Sequence, residues 1–268
     1  MKAVILCGGQ GTRIRDVADD VPKPMIRIGE RPILWHIMHI YAAAAVTDFV
    51  LCLGYKSWSI KEYFLNFHAQ VADCELRLGE PGNIDYGSAP FPERNWRVEL
   101  VETGLASMTG ARLWRVRDHL PKGELFCLTY GDGVADVDIA DVVAFHRRHG
   151  LVGTVTGVRP QGRFGVMTTS DEAAGTRIAS FSEKPQAGEG LINGGFFVFD
   201  TRVFDYMDGD PGLVFEQGPL QSLAAAGQLM LFEHTGFWQP MDTYREWKLL
   251  NDMWEAGDAP WERAGMRA

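Results

Sequence analysis

The stretch that decides the fold is Lys2-Ala-Val-Ile-Leu-Cys-Gly-Gly-Gln-Gly-Thr-Arg13, followed by Pro22-Lys-Pro-Met25. A short apolar strand that opens into glycines brings bare backbone N–H groups to the edge of a sheet, where no Cβ keeps a polyphosphate at a distance. Arg13 and Lys23 supply two cations for such an anion, and the prolines on either side of Lys23 restrict its backbone and help to aim it. The spacing is not G-x-G-x-x-G, and no G-K-[ST] follows, so neither common phosphate loop is present. Glycines after a strand would by themselves fit a plain turn. Together with Arg13 and Pro-Lys-Pro they point to a bound polyphosphate.

Outward from this stretch, strand-like and helix-like segments alternate. Ile33, Leu34, Ile37, Met38 and Tyr41 recur at helical spacing, residues 48–54 read as a buried strand, and residues 56–67 form a helix with Ile60, Phe64 and Phe67 on one side. Residues 125–130 are another buried strand, followed by a helix over 139–149. This alternation predicts an α/β fold with a mostly parallel sheet covered on both faces. After residue 150 the pattern turns strand-rich, at 152–158, 165–169, 177–183 and 193–199, before helices at 215–226 and 244–256. These suit a mixed extension of the sheet that bears a second substrate's site. A chain of 268 residues can bury one large core. It is read as a single domain, with the polyphosphate site in residues 1–150 and the second substrate's site in residues 151–268.

With 46% hydrophobic and 23% charged residues the chain reads as an ordinary soluble globular protein. A net charge of −9 argues against a nucleic-acid coat but says little against a small anionic substrate, which responds to the local field. The four cysteines form no C-x-x-C pair and read as buried reduced thiols in a cytoplasmic protein. The apolar run at 2–7 is too short for a signal peptide, and no stretch approaches membrane-spanning length.

Asp132 follows the strand ending Thr129-Tyr130 and is flanked by Gly131 and Gly133. Carboxyl ends of strands line the crevice of an open α/β sheet, so a carboxylate there points at the site. Asp242 lies in Gln-Pro-Met-Asp, far along the chain. Two such aspartates are the minimal protein share of a Mg²⁺ shell, although either also suits a turn. An EF-hand is excluded because Val143 stands where its closing Glu belongs. Asp136-Val-Asp138 imitates the D-x-D of metal-dependent glycosyltransferases, but Asp138 is read as the cap of the helix that follows. Lys184, in Glu183-Lys-Pro185, is either a solvated strand-end charge or an anion ligand. Asn193-Gly-Gly195 is either a hydroxyl-binding corner or a bulge, and Arg112 either a ligand contact or a surface charge. The pairs His36/His39 and His146/His149 read as packing or surface residues.

The opening motif resembles the G-G-x-G-T-R and P-K-P signature of the sugar-1-phosphate nucleotidyltransferases. The likeness continues through Gly29-Glu-Arg-Pro-Ile-Leu-Trp-His-Ile-Met38, Ser107-Met-Thr-Gly-Ala-Arg112, Thr129-Tyr-Gly-Asp-Gly-Val-Ala-Asp136, Ile192-Asn-Gly-Gly-Phe-Phe197 and Gly236-Phe-Trp-Gln-Pro-Met-Asp-Thr243. Met-Thr-Gly-Ala-Arg, Tyr-Gly-Asp-Gly and Trp-Gln-Pro-Met-Asp are similar to the cytidylyl branch. The resemblance implies a Rossmann-like three-layer nucleotidyltransferase fold that passes CMP from CTP to glucose 1-phosphate, in a homo-oligomer. It further implies catalysis by Arg13, Lys23 and Asp132, with Mg²⁺ on Asp132 and Asp242. The nucleotide would be bound by Leu6, Gly8, Gly9, Gln10, Gly11, Thr12, Arg13, Lys23, Thr103, Gly104, Thr109, Arg112 and Gly131. The sugar phosphate would be bound by Tyr130, Glu183, Lys184, Asn193 and Gly194. By the same resemblance residues 1–150 are the part that binds the nucleotide and residues 151–268 the part that binds the sugar phosphate. The loop at 80–95, with three prolines and two glycines, is where the chain departs most from the family. A different nucleotide or sugar 1-phosphate is the alternative within this class. A glycosyltransferase is disfavoured by the glycine loop with Pro-Lys-Pro. A non-catalytic relative would lack a metal Asp or a phosphate-binding cation, and none is missing.

Overall fold

Both faces of Lys2–Leu6 are buried, and that places the strand at the middle of a sheet. A computed structural model describes residues 1–9, 20–79, 83–87, 91–159, 166–172, 175–182 and 190–263, with 166–172 and 175–182 described by their backbone alone. The principal strands of the central sheet are β1 (Lys2–Leu6), β2 (Asp48–Leu53), β3 (Arg97–Glu102), β4 (Leu125–Tyr130), β5 (Gly153–Val158), β6 (Phe197–Asp200) and β7 (Leu229–His234). They lie in the order β3–β2–β1–β4–β6–β5–β7. The pairs β1/β2, β1/β4, β2/β3 and β5/β7 are parallel, whereas β4/β6 and β5/β6 are antiparallel. The sheet is therefore mixed and mostly parallel, as the alternation of apolar strands and helices predicts.

Side chains alternate between two separate cores, one on each face of the sheet. Ala3, Ile5, Phe49, Leu51, Cys127 and Val198 belong to one core, which is covered by α1 (Ile33–Ala43), α5 (Ile139–His149) and part of α7 (Tyr244–Glu255). Val4, Leu6, Val50, Phe126, Leu128, Phe197 and Phe199 belong to the other, under α4 (Thr109–Arg115) and α6 (Pro219–Ala225). The three layers follow from this division. Cys7, Cys52 and Cys127 are buried and Cys74 is exposed, all as free thiols, and burial pushes Cys52 and Cys127 up to about 12. No helix among the described residues is long and apolar enough to cross a membrane.

Several elements differ from the sequence expectation for identifiable reasons. The helix expected over 56–67 breaks at Asn66 into α2 (Ser57–Leu65) and α3 (Phe67–Val71). The strand expected over 193–199 is interrupted. Ile192–Asn193 and β6 both pair the same edge of β5, and Gly195 and Phe196 take positive φ angles of 78° and 48° between them. The helix expected from 215 starts at Pro219, which cannot donate a backbone hydrogen bond and suits the first helical turn. Within the loop at 80–95, Ile84–Tyr86 pairs with Cys74–Leu76 and Pro92–Asn95 forms a 3₁₀ turn. Asp138 caps α5 as expected, accepting from the N–H groups of Ala140 and Asp141 at 2.8 and 3.2 Å.

His36 is wholly a packing residue. Its Nδ1 accepts from Trp261 Nε1 at 3.2 Å, which leaves Nε2–H to donate to the Ile28 carbonyl at 3.0 Å. A second ring proton would face the Trp261 N–H, and burial lowers the His36 pKa from 6.5 to about 4. A depressed histidine pKa contributes stability that is complete above the unfolded value and drains away as pH falls toward the folded one. Urea midpoints are therefore expected to fall between pH 6.5 and 4, and His36→Gln to flatten that part of the profile. An equally steep profile in the variant would assign the acid sensitivity elsewhere.

Candidate active site

The order in which strands are added across the sheet reverses between the parallel neighbours β1 and β4: β2 and β3 lie on one side of β1, and β4 on the other. In open α/β sheets the crevice outside the carboxyl ends of strands at such a point holds the ligand. A cleft of about 410 Å³ lies there, lined by Leu6, Gly8, Gly9, Lys23, Thr109, Arg112, Tyr130, Gly131, Asp132 and Asp242 among others.

A short ladder explains how two distant aspartates reach one place. Trp238–Pro240 runs antiparallel to Gly133–Ala135, and the Met241 N–H donates to the Asp132 carbonyl at 2.8 Å. The chain on either side then delivers both carboxylates to the cleft. Lys23 comes from a 3₁₀ turn (Lys23–Met25) held by Met25 N–H to the Pro22 carbonyl at 2.8 Å. Its Nζ lies 2.5 Å from Asp132 Oδ2 and 2.5 Å from Asp242 Oδ1. Burial would lower the Lys23 pKa, but the charge of Asp132 and hydrogen bonds to both carboxylates outweigh it and raise the pKa above the ordinary lysine value. The ammonium thus occupies a cation position between two hard oxygen donors, a donor set that suits Mg²⁺. Among the described residues no group of three or more His, Cys, Asp or Glu gathers as a metal cage. Any ion here would draw its remaining ligands from phosphate and water.

Gly8 and Gly131 are required by contact. A Cβ at Gly8 would lie 2.0 Å from Arg112 Nη1, and one at Gly131 would lie 2.9 Å from the Leu6 carbonyl. A Cβ at Gly9 would meet nothing within 4 Å, so Gly9 faces open space. Arg112 is 5% exposed, which overturns the surface-charge reading. Its Nη1 donates to the Leu53 carbonyl, Thr103 Oγ1 and the Gly104 carbonyl at 3.0, 2.8 and 2.9 Å, and its Nη2 to the Gly8 carbonyl at 3.0 Å. Arg112 lines the cleft, but these donors are already engaged in holding the loop after β1. Thr103 and Gly104 lie behind Arg112 as its acceptors rather than facing the cleft.

The second wall holds a group that the sequence reading missed. Glu216 accepts from Tyr130 Oη at 2.5 Å and from Thr109 Oγ1 at 2.7 Å. Neighbouring Phe215 is fully buried against Phe197 and Phe199, which anchors the turn carrying Glu216. Burial and the adjacent Glu216 carboxylate push the Tyr130 phenol far above its ordinary pKa. The available signal was Gly218-Pro219, which marks a helix start and leaves Glu216 in a turn. Asn193 joins Tyr130 through Nδ2 at 3.1 Å. Gly194 is buried, with its N–H donated to Thr156 O at 2.9 Å and its carbonyl accepting from Trp238 Nε1 at 2.8 Å, so its backbone groups brace the bulge instead of facing the cleft. Gln10, Gly11, Thr12, Arg13, Glu183 and Lys184 lie outside the described residues.

Comparison with known proteins shows the family. The nucleotidyl transferase family profile matches residues 2–213. A glucose-1-phosphate cytidylyltransferase of Salmonella typhimurium is 47% identical over 262 residues, covering 98% of this chain and 99% of that one. Mannose-1-phosphate guanyltransferase beta-B of Xenopus laevis is 32% identical over 90% of this chain and 62% of its own length. The solved inositol-1-phosphate CTP transferase of T. maritima shares the fold with a TM-score of 0.62 at 14% identity, over 95% of this chain and 96% of that one.

If Arg112 is principally a strut, its loss costs stability with no nucleotide present. Arg112→Ala removes the one charged group that ties the Gly8, Leu53 and Gly104 carbonyls and Thr103 Oγ1 together, and is expected to lower the unfolding free energy by roughly 3 kcal/mol in urea titrations of the ligand-free protein. A variant as stable as the parent would show that these contacts are dispensable to the fold.

Proposed function

This chain belongs to the nucleotidyl transferase family and groups with the glucose-1-phosphate cytidylyltransferases, and on that premise we propose that it transfers CMP from CTP to glucose 1-phosphate. The products are CDP-glucose and pyrophosphate. The observation that carries the reading is the meeting of Lys23, Asp132 and Asp242 beside Gly8 and Gly9 at the carboxyl ends of β1 and β4.

In the proposed reaction a phosphate oxygen of glucose 1-phosphate attacks the α-phosphorus of CTP. A new P–O bond forms, the bond to the β-phosphate breaks, and pyrophosphate leaves with the electron pair. The attacking oxygen is already an anion at neutral pH, so no side chain has to remove a proton. The difficulty is bringing anion to anion, and positioning plus cationic stabilisation meets it. Lys23, on a turn that Pro22 and Pro24 restrain, is assigned to the reacting phosphates. Gly9 leaves room for the triphosphate. Arg13 and the loop from Gly8 to Thr12 are assigned to the β- and γ-phosphates, and Glu183 and Lys184 to the sugar and its phosphate. Asp132 and Asp242 would hold Mg²⁺, which when bound neutralises phosphate charge. The backbone groups from Leu6 to Gly9 are assigned to the base, with Arg112 fixing their position. In this reading residues 1–150 serve the nucleotide and residues 151–268 the sugar phosphate, with Asp242 returning to the nucleotide side.

The cytoplasmic assignment is supported by the four free cysteines. A homo-oligomer is supported by the open edge of β3, next to a groove lined by Phe64, Phe67, Phe91 and Trp96.

Pyrophosphate release over a grid of four nucleoside triphosphates and several sugar 1-phosphates tests the reading. CTP with glucose 1-phosphate is expected to give the highest kcat/KM. An acceptor facing the O4 of uracil should disfavour UTP by about one to two decades. Equal values for CTP and UTP would remove the cytidylyl assignment, and release from no pair would remove nucleotidyl transfer. In the same assay Asp132→Asn should nearly abolish turnover, whereas Asp138→Asn, at a helix cap, should leave it largely intact. Lys23→Ala should lower kcat on the order of 10²-fold, as for the loss of one preorganised electrostatic donor. Parallel behaviour of the two aspartate variants would refute the metal assignment.

A further inference from the structure

The hydrogen-bond polarity of the second wall is fixed from two directions. Tyr130 has one hydroxyl proton and two lone pairs. Glu216 Oε1 lies 2.5 Å from the hydroxyl and accepts its hydrogen bond. The other Glu216 oxygen accepts from Thr109 Oγ1 at 2.7 Å. Thr109 Oγ1 itself accepts the Phe215 N–H at 3.0 Å, so its own proton also turns to Glu216. Independently, Asn193 Nδ2 donates to the Tyr130 oxygen at 3.1 Å. This amide cannot be turned over, because its Oδ1 accepts the Gly195 N–H at 2.9 Å and a backbone N–H can only donate. Phe197 meets the Tyr130 ring edge to face at 5.9 Å, and a Cβ at Gly195 would come within 3.2 Å of the ring, so the ring has little freedom to re-aim its oxygen.

What remains of Tyr130 toward the cleft is therefore a lone pair and no proton. We propose that Glu216 is a positioning residue that makes Tyr130 an obligate hydrogen-bond acceptor, so that the acceptor sugar must present a hydroxyl donor to it. The inference rests on the reading of the cleft as a sugar-1-phosphate nucleotidyl transfer site, with Tyr130 on the sugar side. It narrows the substrate class to hexose 1-phosphates that carry a free hydroxyl at the ring position facing Tyr130. A group of similar size that can only accept, such as fluorine or an ether oxygen, is rejected there more strongly than plain hydrogen. The discrimination is set at Glu216, which does not itself need to touch the sugar.

The test is a comparison of kcat/KM with CTP for glucose 1-phosphate and its deoxy and deoxyfluoro analogues at each free hydroxyl, in the unmodified protein, Glu216→Gln and Tyr130→Phe. At one position the deoxyfluoro sugar should be poorer than the deoxy sugar on the order of 10-fold or more, because fluorine faces a lone pair. Glu216→Gln, whose amide can donate to the Tyr130 oxygen and release its proton, and Tyr130→Phe should both reduce that gap to about 2-fold or less. The gap is a ratio between two sugars on one protein, so a general loss of activity or stability does not move it. Should Glu216→Gln fail to fold, Glu216→Asp carries the same arm, since its shorter carboxylate cannot reach both hydroxyls. Absence of the gap at every position in the unmodified protein, or its survival in either the Tyr130 or the Glu216 variant, overturns the proposal and leaves the nucleotidyl transfer reading intact. Failure of the unmodified protein to release pyrophosphate with any sugar 1-phosphate overturns that reading instead.

Discussion

Burying a strand on every side leaves it one free direction. β1 is paired with β2 and β4 along both edges and packed into a core on each face, so its carboxyl end is the place where the chain can meet a ligand. The glycines that follow it, the aspartate that follows β4 and the turn that carries Lys23 all gather at that end. Most of the molecule's architecture can be understood as what is needed to keep β1 dry while leaving its tip wet. A charged or bulky residue in the middle of β1 would disturb both cores and the cleft together.

At that tip, electrostatics rather than packing dominates. Two carboxylates whose oxygens both touch one nitrogen repel each other unless a cation lies between them. The Lys23 ammonium offsets that repulsion and stays charged itself in spite of its burial. The arrangement is also a choice about partners. An anionic phosphate can draw the ammonium away from the aspartates, and a divalent cation can take its place, so the ligand-free contact prefigures the charges of the loaded site. Arg112 plays the opposite part. Its cation is surrounded by carbonyl oxygens instead of carboxylates, and it serves geometry rather than charge balance.

The central, doubly buried strands were legible because burial on both faces writes a continuous apolar run, as in Val4-Ile5-Leu6 and Phe126-Cys127-Leu128. β3 and β7 were not read, since at the margins of the sheet they mix exposed and half-buried positions and carry no such run. Lys23, Asp132 and Asp242 could be placed at one site from motif context, but the ladder between Gly133–Ala135 and Trp238–Pro240 that unites them has no local signature. Glu216 was invisible for a related reason. Its role depends on Thr109 and Tyr130, each dozens of residues away, and it sits in a stretch whose apolar neighbours imitate the start of a helix. The direction in which Arg112 faces was likewise a tertiary fact, because a guanidinium surrounded by carbonyls from three segments looks from the sequence like any exposed helix charge.

The ladder between Gly133–Ala135 and Trp238–Pro240 also sets an order of events in time. Chains emerge from the ribosome amino end first, and the strands β1, β2 and β4 with their parallel pairings are available long before residue 242 is made. The glycine loop and Lys23 can therefore take shape around an unfinished cleft, in which Asp132 has neither its partner carboxylate nor the main-chain contact from Met241. The cation-binding pair closes last. Completion of the cleft thus reports that the carboxyl-terminal part has docked, and a nascent or truncated chain that has formed β1 and the Lys23 turn would still lack one of the two carboxylates that meet there.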